Sequence, residues 1–121
     1  MAVVLIVDDS PTELHLFQTM LEKNGFSTLV ADSGEDGIRQ ASANKPDVIL
    51  MDVVMPGMNG FQATRKLTQD PETASIPVIM ITTKDQETDK IWGMRQGAVE
   101  YLVKPIDEKQ LVAQINAVMA D

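Results

Sequence analysis

Short apolar runs that alternate with longer amphipathic ones constrain this chain most. Val3-Val4-Leu5-Ile6-Val7 is aliphatic throughout and rich in β-branched residues. A strand with one face in water alternates polar and apolar residues, so a run without alternation suits a strand buried on both faces. Asp47-Val48-Ile49-Leu50-Met51 and Pro77-Val78-Ile79-Met80-Ile81-Thr82 read the same way. Phe26 to Ala31 is less apolar and is expected near a sheet edge; Glu100 to Val103 is a fifth, short strand. Helix signals lie between these runs. Ser10 caps a helix that starts at Pro11, with Glu13 expected to complete a capping box and Gly25 to stop it. Leu14, Phe17 and Leu21 follow at helical spacing. Ser33 opens a second helix through Ile38 and Ala41, which ends before Pro46. Asn59 caps a third, carrying Phe61, Thr64 and Leu67. Lys84 to Gln96 is a polar fourth helix ended by Gly97. Asp107 caps the last, with Gln110 in the capping-box position and Leu111, Ile115 and Val118 facing inward.

Strands that alternate with helices imply a parallel sheet covered on both faces. Five βα units are too few to close an eight-fold barrel, which leaves an open, doubly wound α/β sheet. The 121 residues make one domain, 1–121, with 44% hydrophobic and 23% charged residues. There is no cysteine and one histidine, His15, so disulfides, thiol nucleophiles and multi-histidine metal cages are excluded. A formal charge of −8 repels phosphate backbones and anionic lipid, arguing against nucleic-acid and membrane-surface binding. No apolar run approaches the ~20 residues that span a bilayer, and Met1-Ala2-Val3-Val4, with no basic stretch or cleavage site, is not expected to act as a secretory signal. The expectation is a monomeric cytoplasmic protein with no membrane insertion.

In open parallel sheets, ligands sit outside the carboxyl ends of the strands. At that edge the first strand ends in Asp8-Asp9, the third in Asp52, the fourth in Thr82-Thr83 and the fifth in Lys104-Pro105. Three carboxylates brought together repel one another unless a counter-charge joins them. A hard divalent cation, Mg²⁺ or Mn²⁺, resolves the repulsion, and Lys104 adds a second positive group. An isolated Asp-Asp pair is ordinarily a solvated turn; the coincidence of groups at four strand ends argues for a site.

Val7-Asp8-Asp9-Ser10, Met51-Asp52-Val53-Val54-Met55-Pro56-Gly57-Met58-Asn59-Gly60, Ile81-Thr82-Thr83 and Tyr101-Leu102-Val103-Lys104-Pro105, in this order, resemble the receiver domain of two-component response regulators. The resemblance implies a flavodoxin-like receiver fold: five helices and a five-stranded parallel sheet in the order 2-1-3-4-5. It also implies roles. Asp52 would be the phosphoacceptor. Asp8, Asp9, Asp52 and the backbone carbonyl of Val54 would hold Mg²⁺. Lys104 would pair with phosphoryl oxygens and Thr82 would be the switch hydroxyl. Pro105 would follow a peptide bond that is usually cis, and Tyr101 would be the switch aromatic, turning inward into space vacated by Thr82. The donor would be a histidine kinase or its phosphotransfer domain. A protein partner would read the face made by the fourth helix, fifth strand and fifth helix. The alternative output is a phosphate sink that drains a shared kinase by autodephosphorylation.

Thr83 stands where the family usually has a small residue and is expected to narrow the approach to the phosphoryl group. Val54 offers no side-chain bond to an attacking water, which predicts slow to moderate self-hydrolysis. Ile91, Trp92 and Met94 cannot all face inward on one helix, so part of this cluster is expected at a recognition surface. His15 is expected to face solvent. The run Thr82 to Lys90, with Gly60 to Arg65, is also similar to single-domain regulators of type IV pilus twitching motility. A flavin carrier would want a Ser/Thr/Gly-rich phosphate loop after the first strand, where Asp8-Asp9 stands. A haloacid-dehalogenase-type phosphatase would want Asp-x-Asp there.

Overall fold

In the computed structural model, which describes residues 2–120, β1 (Val3–Val7), β2 (Ser27–Ala31), β3 (Val48–Met51), β4 (Val78–Thr82) and β5 (Glu100–Val103) form one parallel sheet. The strand order is β2-β1-β3-β4-β5, as the resemblance implies, with the less apolar β2 at one edge. Helices α1 (Pro11–Lys23), α2 (Gly34–Asn44), α3 (Gly60–Gln69), α4 (Glu87–Arg95) and α5 (Glu108–Met119) alternate with the strands.

The uninterrupted apolar runs are explained by two faces that are both covered. Val4 and Ile6 of β1, Val48 and Leu50 of β3, and Ile79 and Ile81 of β4 join Phe17 and Leu21 of α1 and Leu111 and Ile115 of α5. Their neighbours Leu5, Val7, Ile49, Met51 and Val78 point the other way, onto Ala41 of α2 and Ala63 and Leu67 of α3. A smaller cluster, Val53, Met80, Ala98 and Tyr101 with Phe61 against it, lies towards the β5 edge. Val118 is half-buried, and His15 is exposed as expected.

Local capping follows the sequence except at Glu13, at Gln110, whose side chain returns no bond to the Asp107 N–H, and at the start of α4. The side chains of Ser10, Ser33, Asn59 and Asp107 each accept an amide N–H three residues on. Asn59 and Gln62 bond reciprocally. Glu13 does not close the expected box on Ser10: its carboxylate is turned to Lys104. The fourth helix starts at Glu87 instead of Lys84. The backbone N–H of Lys84 is taken by Thr82 Oγ1 at 3.2 Å, and its carbonyl by the Tyr101 hydroxyl at 2.8 Å. A carbonyl already accepting a side-chain hydroxyl in this direction is a poor start for a helical ladder.

Candidate functional site

Strand register builds the site. Val7 of β1 lies opposite Met51 of β3, so the next residues, Asp8 and Asp52, leave the sheet side by side. The Asp52 N–H donates to the Val7 carbonyl at 3.0 Å and holds them together. Thr82 of β4 lies opposite Val103 of β5, which brings Lys104 to the same edge. Gly60 lets α3 come down on this corner: a Cβ there would stand 2.1 Å from the Asp52 carbonyl oxygen. Gly57, at φ +71°, makes the preceding turn in the left-handed region.

Asp8 and Asp52 are 2% and 9% exposed, while Asp9 is open to solvent. One carboxylate oxygen from each lies within 4.8 Å of the others. All three donors are hard oxygens with one side open, which fits Mg²⁺ or Mn²⁺. The Lys104 ammonium lies 3.0 Å from Asp8 Oδ2, 2.9 Å from Glu13 Oε1 and 3.9 Å from Asp52 Oδ2. It also sits 5.9 Å from the centre of the Phe17 ring. The Lys104–Pro105 peptide bond is cis.

Burial pushes the Asp52 carboxyl up to about 6. Lys104 opposes that shift, Asp8 adds to it, and backbone bonds from Val53 and Val54 oppose it. The Val53 N–H reaches Asp52 Oδ1 at 2.8 Å. Burial alone would lower the pKa of Lys104, but bonds to Glu13 and Asp8 and the charges of Asp52 and Asp8 leave it raised. The ammonium is thus the main counter-charge in a pocket of anions.

Thr82 is fully buried, and Tyr101 is almost so. Both close on the Lys84 backbone. Tyr101 does not wait for vacated space, contrary to the sequence expectation: it is already inward. The room comes from α4, where a Cβ on Gly93 would stand 2.7 Å from Met80 Sδ and 2.9 Å from Tyr101 Cδ2. Burial, then the charges of Asp89, Asp85 and Asp52, push the phenol up to about 12, so it remains a hydroxyl donor.

The response regulator receiver domain model matches residues 4–116. The chain belongs to the response regulator receiver domain family. It is 63% identical over 120 residues to protein PilH of Pseudomonas aeruginosa, covering 99% of both chains. It is 40% identical over 114 residues to the response regulator PleD of Caulobacter vibrioides, covering 94% of this chain and 25% of PleD. Chemotaxis protein CheY4 of Vibrio cholerae superposes with a TM-score of 0.92 at 31% identity, over 98% of each chain.

The rest of this receiver's surface is uneven. Ile91, Trp92 and Met94 of α4 are all exposed, together with Val99 and Val103. The expectation that some of the helical three pack into the core is not met: the one buried residue of α4 is Gly93. Val54 is exposed beside Asp52. Thr83 is exposed and, with Glu13, Leu16, Phe17, Lys104 and Pro105, lines a hollow of about 260 Å³ against α1. No helix among the described residues is long and apolar enough to cross a membrane. Sequence reasoning missed Glu13 as a partner of Lys104 and Gly93 as the seat of Tyr101. Glu13 stands in the first turn of the helix that follows Asp8-Asp9, and that closeness was the available signal.

Proposed function

We propose that this chain is a stand-alone, single-domain phosphorylation switch of the cytoplasm, with Asp52 as phosphoacceptor. The observation that carries the reading is a buried carboxylate flanked by an ammonium and two further carboxylates. An anionic nucleophile and an anionic phosphoryl group repel each other, and the reaction needs positive charge placed in advance. Lys104 supplies one such charge. Asp8, Asp9 and Asp52, with the carbonyl of Val54, would hold Mg²⁺, which when bound offsets charge on the phosphoryl oxygens. Asp52 Oδ attacks phosphorus as the phosphohistidine N–P bond breaks, and the electron pair stays with the imidazole. The N–H groups of Val53 and Val54 orient the Asp52 carboxylate.

Once Asp52 is phosphorylated, the new oxygens draw the Thr82 hydroxyl away from the Lys84 N–H. The Lys84 segment, still held by Tyr101, then shifts the start of α4. This links the acid site to the face of α4, β5 and α5, where a protein partner binds. The exposed apolar residues on α4 favour this switch over a phosphate sink, because a sink needs no apolar docking face. Identity to PilH and the local runs quoted above favour twitching-motility signalling, with phosphate supplied by a histidine kinase or its phosphotransfer domain.

Incubation with acetyl phosphate and Mg²⁺ tests the reading. Wild type is expected to gain one base-labile, hydroxylamine-sensitive phosphoryl group, and Asp52→Asn none. Labelling of the variant at the wild-type rate would move the acceptor elsewhere.

A further inference from the structure

The Lys104 ammonium has three N–H donors and is shared among three carboxylates. Two contacts are at hydrogen-bond distance, Asp8 at 3.0 Å and Glu13 at 2.9 Å; Asp52, at 3.9 Å, is felt only as a charge. The two close partners differ. The Asp8 side chain is 4% exposed and stands beside Asp52, so a turn of the ammonium towards Asp52 does not carry it away from Asp8. The Glu13 side chain is 30% exposed and sits on the first turn of α1, with its own N–H held by Ser10 Oγ at 3.3 Å. It anchors the ammonium from a fixed helix on the solvent side, and it can be rehydrated when Lys104 leaves.

We infer that Glu13 is a positioning residue whose carboxylate draws the Lys104 ammonium away from Asp52 in the resting protein. The inference rests on the reading of Asp52 as phosphoacceptor. Two of its three donors are taken, so to bring the third onto a phosphoryl oxygen beside Asp52, now 3.9 Å away, the ammonium has to move off Glu13. Glu13 therefore slows phosphorylation, and afterwards it competes with the phosphoryl group for the same ammonium. Its removal from contact has the opposite effect on both.

Two variants separate contact from long-range charge. Glu13→Gln removes the charge. Glu13→Asp keeps the charge but is one methylene too short to reach Nζ. Both keep the backbone N–H that Ser10 caps. Acetyl phosphate labelling in Mg²⁺ is expected to be roughly three- to tenfold faster in both variants. The phosphoryl mimic fluoroberyllate, titrated by fluorescence, is expected to bind both variants more tightly than wild type. In Mg²⁺-free protein, the Lys104 ammonium NMR signal is expected to shift in both. A merely structural role would weaken labelling and fluoroberyllate binding instead. Acceleration in Glu13→Gln alone assigns the effect to net charge and overturns the inference, and so does acceleration in neither. A wild type that does not label at Asp52 overturns the underlying reading and this one with it.

Discussion

Helices α3 and α4 follow adjacent strands, yet they are held in different ways. Along α3, Gly60, Ala63, Thr64 and Leu67 are buried; the first turn is bonded in both helices, Asn59 with Gln62 in α3 and the Gln86 N–H to Asp89 in α4. Its N-terminus is pressed on the Asp52 carbonyl. Along α4, only Gly93 is buried, while Ile91, Trp92 and Met94 face out. Helical stability in proteins comes mainly from a packed apolar face. By that measure α3 is part of the frame that fixes the acid, and α4 is attached through few contacts. Segments with few buried contacts open at lower free energy than the core. The switch proposed here needs such a contrast: a rigid floor under Asp52 and a loosely held helix that can answer it.

The strongest way to break the contrast is at Gly60. A methyl group there meets backbone, which cannot turn aside, so Gly60→Ala is expected to cost about 3 kcal/mol or more. Urea unfolding measures it; a loss no larger than that of the corresponding Gly93→Ala change in α4 would mean that α3 is no better anchored.

The acid on that floor is the next largest effect. In the folded chain Asp52 is pushed up to about 6, against 3.8 for an ordinary aspartate. Between those values the folded state keeps a proton that the unfolded state has released. Stability from this group is therefore full at low pH and falls as pH rises from about 4 through 6. In Mg²⁺-free buffer, Asp52→Asn is expected to stabilise the protein by about 1–2 kcal/mol at pH 7. The gain is expected to vanish near pH 4. Unfolding midpoints across that range check it, and a gain independent of pH would reject burial of the charge as its cause.

Gly93→Ala sharpens the comparison from the other side. Alanine favours the helix by about 1 kcal/mol, but its methyl meets Met80 and Tyr101, at a cost of about 1–3 kcal/mol. The net loss is expected to be about 1 kcal/mol, smaller than at Gly60, because side chains can move aside. The diagnostic result is loss of the Tyr101 hydroxyl bond to the Lys84 carbonyl, read from the tyrosine ring shifts. Unchanged ring shifts would show that Gly93 does not seat the tyrosine. Smallest of all, Trp92→Ala is expected to change stability by no more than about 0.5 kcal/mol. A larger loss would show that α4 depends on this side chain for its anchoring.

The core strands and the convergence of Asp8, Asp9, Asp52 and Lys104 were legible because two simple rules act together. Uninterrupted apolar runs mark strands covered on both faces, and a parallel sheet gathers their carboxyl ends at one edge. What could not be read depended on contacts between distant parts of the chain. Local spacing assigned Glu13 to a capping box, but an ammonium brought across the sheet by β5 is the stronger partner. Local polarity started α4 at Lys84, but Thr82 and Tyr101 occupy the backbone groups of that residue. Tyr101 was expected to wait for space, and only the approach of Gly93 from another element shows that the space exists. Helix α4 itself was legible as polar, although not that its three large apolar residues all remain outside.

The chain contains one tryptophan and one tyrosine. Trp92 is 48% exposed on α4, next to Gly93, and Tyr101 packs against that same glycine from β5. The indole and phenol optical signals of the whole molecule therefore originate in a single corner, at the far end of the Lys84 connection from Asp52. Quenching, emission shift or near-ultraviolet dichroism in unlabelled protein reads the output side of this receiver directly. The acid cluster is silent at those wavelengths, so a change on adding a phosphodonor reports the response of this corner and not the absorption of the acid site itself.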